Sequence, residues 1–453
     1  MTNINTNVNN TGIDLQALLK NVQNKRTNAK AVPTETQREK VYDPHGNSHA
    51  FQFGSSPAWW DRKGKAILPK FNADPVYLLE KAGGNFDTEK VTLGYFSDGQ
   101  WVELDNARGV IRTDRKGTSA VLTSNVTREY NTMSYRDIVK LPEFLRDEDG
   151  SKVPFEIDLN DFERNGQNPV RDMLQDQEQF SKRDLNDNPK VLLGDLLTPW
   201  GCSVWQNGRQ LTFQYLVGNI FPNVNDKKDK YEVYLTIMSS MDGTAATKFF
   251  LTIQRVVCKN TNAHAIANGW MPIANSQKLQ QSIKRTANMA DNLPNWHRSM
   301  LEVLTGSAAF QRAFTNLSNR PITNMADVGD CVQEVFKLDL EAKGQGKRGM
   351  GTFERVLQTM LNPMYGQTDR ATNWLEVYNG LTAYITHERQ VNNLPDGDEG
   401  NRQREEKLAY KIQVENDDKI AKAWNVVQKY AGVPKQEQVH MNVDSSFADR
   451  TAA

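Results

Sequence analysis

Cysteine is scarce. Cys202, Cys258 and Cys331 are three in 453 residues, odd in number and far apart, which excludes a disulfide framework and a thiolate zinc set. Such spacing fits reduced thiols. No apolar run approaches the roughly 18 residues that span a bilayer. The opening stretch MTNINTNVNNTG has no apolar segment of the secretory type. Net charge is also missing, because 55 Lys and Arg balance 55 Asp and Glu. Histidine is sparse and scattered, and only His45 and His49 lie close together, with no neighbouring ligands to complete a metal set. No metal and no cofactor is expected.

What is present is a folded chain of moderate apolar content, with 38% hydrophobic residues and a mean hydropathy of −0.66. Residues 1–50 read as a disordered leader and 433–453 as a disordered tail. Residues 51–144 read as a β-rich portion, with segments KVTLGYF, QWVELD, GVIRTD and SAVLTSNVTREY separated by turn residues such as Asp98-Gly99. Residues 145–190 are weakly patterned, and 146–190 holds twelve acids against seven bases. This stretch is expected to be an acidic insertion or mobile surface excursion.

The clearest strands lie within 201–258. Leu211, Phe213, Tyr215 and Val217 alternate with polar neighbours, as do Tyr231, Val233, Leu235 and Ile237, and Phe249, Leu251 and Ile253. Period-two alternation predicts a half-solvated antiparallel sheet. After Cys258, Asn260 or Thr261 is expected to cap a helix to about residue 268. Residues 191–298 would then form a sheet-plus-helix core, and 299–432 a helical part. The fold class is α+β, an antiparallel sheet with helices packed on one face and a helical C-terminal part.

Candidate chemistry is thin. Gly344, Gly346 and Gly349 fit G-x-G-x-x-G, but the preceding CVQEVFKLDLEAK reads as helix, so a glycine linker is favoured over a dinucleotide loop. Cys258 ends a strand in apolar company, which suits a structural thiol better than a nucleophile. No catalytic residue is assigned, and no enzyme activity is expected. Charge segregation is stronger. Residues 248–320 carry nine bases and two acids, a net +7. A phosphate-facing set would comprise Lys248, Arg255, Lys259, Lys284 and Arg285, with Lys343, Lys347 and Arg348 added from the glycine segment. Trp270, Trp296 or Phe310 would supply stacking surface.

Several segments match a known pattern in order: AWWDRKGKAILP, LLEKAGGNF, GVIRTDRKGTSAVLTSNVTREYNTMSYRDIV, SSMDGTAA, QRVVCKNTNAHA and NWLEVYNGLTAYITHER. Over about residues 55–390 the chain resembles the phage/plasmid-like protein family, a bacterial and phage domain of unknown function. Where that family has Ser-His-Asp-Gly, this chain has Ser240-Met241-Asp242-Gly243. The resemblance implies a gene carried by phages, plasmids or genomic islands, a protein of the bacterial host's cytoplasm, and no established activity. The expected strand-strand-strand-helix order is also similar in layout to single-strand annealing proteins of phage recombination.

Two function classes follow. The first is a non-catalytic protein that binds single-stranded DNA or RNA, acting as an oligomer in annealing. The second is a host-takeover or anti-defence factor that engages a host protein through the acidic insertion or the helical C-terminus. A hydrolase using Cys258 is a third and weaker reading.

Overall fold

The computed structural model describes residues 49–52, 75–127, 134–140, 156–163, 166–175, 177, 180–205, 208–222, 230–241, 248–255, 260–265, 293–338, 346–360, 371–388 and 418–439. In chain order the strands are β1 (His49–Gln52), β2 (Thr88–Ser97), β3 (Gln100–Arg112), β4 (Val121–Thr127), β5 (Glu156–Asp158), β6 (Lys190–Leu192), β7 (Thr198–Trp205), β8 (Gln210–Ile220), β9 (Tyr231–Ser240), β10 (Lys248–Arg255) and β11 (Asn260–Ala265). The helices are α1 (Pro75–Lys81), α2 (Tyr135–Lys140), α3 (Pro169–Gln175), α4 (Leu193–Leu196), α5 (Leu293–Ser318), α6 (Met325–Phe336), α7 (Gly346–Met360), α8 (Trp374–Ala383) and α9 (Asp418–Tyr430). A π-helical turn, Tyr384–Glu388, extends α8. The fold class is α+β.

The centre is a six-stranded antiparallel sheet in the order β1-β7-β8-β9-β10-β11. The apolar alternation of β8 and β9 turns Tyr231 towards the C-terminal helices. Its ring lies 4.9 Å from Phe314 of α5, and its hydroxyl donates to Asn379 Oδ1 of α8 at 3.0 Å. Behind it Phe310, Phe314, Tyr378 and Trp424 form an aromatic cluster, with α5, α8 and α9 each contributing. Each such buried side chain contributes roughly 1.5–3 kcal/mol, so this cluster fixes the helices on the sheet. At the other end Tyr215 of β8 donates to the carbonyl of Val139 in α2, and Gln177 donates to the carbonyl of Val217.

Five expectations change. Residues 260–265 form strand β11, not a helix: Thr252 lies opposite His264, and Arg255 opposite Asn260. A six-residue Asn/Thr-rich stretch is too short to nucleate a stable helix, whereas the edge of β10 offers ready backbone partners. The sheet is not half-solvated either, since β8 and β9 are buried along their whole length. In β9 polar side chains pair within the buried layer, Thr236 donating to Thr252 of β10 at 2.8 Å and Tyr234 to Glu232. Burial, with Glu232 adjoining, pushes the Tyr234 phenol well up, so it stays a donor.

The acidic stretch is not an excursion over 156–190. Ile157, Leu159, Val170, Met173, Leu174, Phe180, Leu185 and Val191 are buried in the common core, and β5 pairs with β6. Its apolar residues are spread between turns, so no single period reveals them. The glycine motif is not a simple linker, because Gly346 opens α7 and Gly349 lies inside it. No βαβ unit surrounds it among the described residues. Packing also continues past residue 432: Val433 is buried, and the Val439 carbonyl accepts from Trp424 and from Gln428. Residues 1–48 and 440–453 of the expected leader and tail lie outside the described residues.

Tyr231→Phe leaves a buried Asn379 oxygen without this donor. It is expected to cost about 1–3 kcal/mol. In urea denaturation the midpoint should fall with an unchanged slope, and an unshifted midpoint would remove Tyr231 as the tie between sheet and helices.

Candidate binding surface

The expected cationic set is spread along the chain. Lys248 and Arg255 are the first and last residues of β10. Seven steps along a strand separate them by about 23 Å. Lys347 and Arg348 lie in the first turn of α7. Lys259, Lys284, Arg285 and Lys343 lie outside the described residues, as do Cys258 and Trp270. Trp296 is in α5, and Phe310 is not a stacking surface, since it is buried inside the aromatic cluster. Arg320 donates to the carbonyls of Ala431 and Gly432, both at 3.0 Å, and so ties α5 to the end of α9.

The surface that sequence reasoning missed is the β2–β3 hairpin. Asp98 and Gly99 both have positive φ, 50° and 79°, which closes a two-residue turn of the hand that matches strand twist. The register runs Ser97–Gln100, Phe96–Trp101, Tyr95–Val102 and Gly94–Glu103. It then shifts, so that residues 104–107 of β3 bulge opposite Leu93 before Thr92 meets Arg108. The Arg108 guanidinium donates to the carbonyls of Leu104 and Ala107, both at 2.8 Å, and holds the bulge.

Beyond the bulge the hairpin stands as a two-stranded arm. Strand β4 pairs with β3 only from Ala107 onward. Every residue from 95 to 106 is exposed. Phe96 is 74% exposed, Tyr95 54%, Trp101 48%, Leu104 41% and Val102 36%. The Phe96 and Trp101 rings meet edge-on with centroids 5.3 Å apart. The indole is seated over Gly94, where a Cβ would stand only 2.5 Å from it. Residues 91–107 include three acids, Asp98, Glu103 and Asp105, and no Lys, Arg or Pro. Water solvates exposed apolar side chains poorly, and a strand edge without a partner among the described residues is open to further pairing.

The arm is rooted in the core. Arg112, at the far end of β3, is 3% exposed, lies 3.8 Å over the Phe86 ring and pairs with Asp114 at 2.7 Å. Phe86 in turn packs edge-on against Tyr135, whose hydroxyl donates to the Gly208 carbonyl at 3.0 Å. Burial raises the Asp114 carboxyl, but the Arg112 hydrogen bond and charge, with Arg115 nearby, outweigh it and hold it below its usual 3.8.

Other features offer less. A cleft of about 620 Å³ beside α3 is lined by Arg171, Lys182 and Arg183 but also by Asp172 and Asp184. The Arg171 amino groups are already held by Asn160 and Asn186 at 2.7 Å. Cys202 and Cys331 are buried, and burial pushes both thiols well up. Among the described residues, no group of three His, Cys, Asp or Glu is placed to hold a metal ion. Nor, among them, is any helix long and apolar enough to cross a membrane.

Residues 206–424 match the model of the family described as Domain of unknown function (DUF932). The match spans β8 to β11 and the helices up to α9; the arm lies N-terminal to it. No curated protein and no solved structure matches the chain. The layout comparison with annealing proteins loses its ground, because the helix it required is strand β11.

The Arg112–Asp114 pair sets a pH dependence at the arm's root. A folded-state pKa below 3.8 means that its stabilisation is complete above that value and is lost as pH falls through the lowered value. Asp114 is 46% exposed, so solvent screening keeps the effect below about 1 kcal/mol. Thermal unfolding from pH 5 down to pH 3 should show a small extra loss in the wild type that Asp114→Asn lacks; equal loss in both would exclude the pair as an anchor.

Proposed function

We propose that this protein is a non-catalytic interaction factor whose docking element is the 95–106 arm, and that its target is a protein surface. One observation carries the reading: five apolar side chains and three carboxylates share an exposed tip, residues 95–106, that has no Lys or Arg. Apolar contact supplies affinity, and carboxylates at the rim select a partner surface of positive charge. A phosphate backbone is a poor match, since binding it depends on Lys and Arg releasing its counterions. The next guanidinium along β3, Arg108, already holds the bulge carbonyls.

A second reading, single-stranded DNA or RNA binding, draws on a different observation. The exposed Phe96–Trp101 pair is a stacking surface of the kind that bases use, and residues 248–320 carry +7 in sequence. In it the arm would supply stacking, and Lys248, Arg255 and their neighbours the phosphate contacts.

A photo-crosslinking amino acid at Phe96, activated in bacterial cells, separates the two. The protein-docking reading expects adducts with polypeptide of discrete mass, and no fall in their yield on nuclease treatment. Adducts formed with nucleic acid alone, together with salt-sensitive oligonucleotide binding that Phe96→Ser/Trp101→Ser abolishes, would reverse the choice. An absence of any adduct would remove the arm as a docking element.

A further inference from the structure

We draw no further inference here: the strongest candidate, the exposed tip of the β2–β3 hairpin with its Phe96–Trp101 pair, belongs to the docking element already described, and nothing in the structure shows what covers it.

Discussion

The guanidinium of Arg112 is the point on which the presentation of the arm depends. An arginine that is almost wholly buried is tolerated only when its charge is paired and its face covered, and here Asp114 and the Phe86 ring do both. Phe86 leads to Tyr135, and Tyr135 to the backbone at Gly208, next to the start of β8. A hairpin whose outer half has no core of its own is thus held by its inner half to the central sheet. Without that root the exposed aromatics would belong to a loose loop. With it they form a surface of defined shape.

The two halves of the molecule divide the work. The C-terminal half, built from β8 to β11 and the helices α5 to α9, is dense with aromatic contact, and its Tyr231–Asn379 bond fixes helices to sheet. The N-terminal half supplies the covering pieces α2 and α3 and carries the arm. The family match covers the first half and leaves out the arm.

Much of the fold was legible in the residues. The Asp98-Gly99 turn and the strands β8, β9 and β10 rest on local physics, and each was found in place. Other features escaped for definable reasons. Strand β11 depends on the open edge of β10, a tertiary fact that overrides the local signals for a helix start. The burial of Gln214, Glu232 and Thr236 was hidden because a polar face reads as a wet one until its pairing is known. The arm escaped for the converse reason: in QWVELD, Val102 and Leu104 alternate with Glu103 and Asp105 much as a half-buried strand does. Only the point where β4 stops pairing shows that no strand covers it among the described residues.

The central claim is that Phe96 and Trp101 are held in water by the isolated chain and covered when it docks. Hydroxyl-radical footprinting reads both side chains directly. The account predicts strong labelling of the two residues in dilute purified protein and clear protection inside cells. Equal labelling under both conditions, or protection already present in the dilute protein, would contradict it.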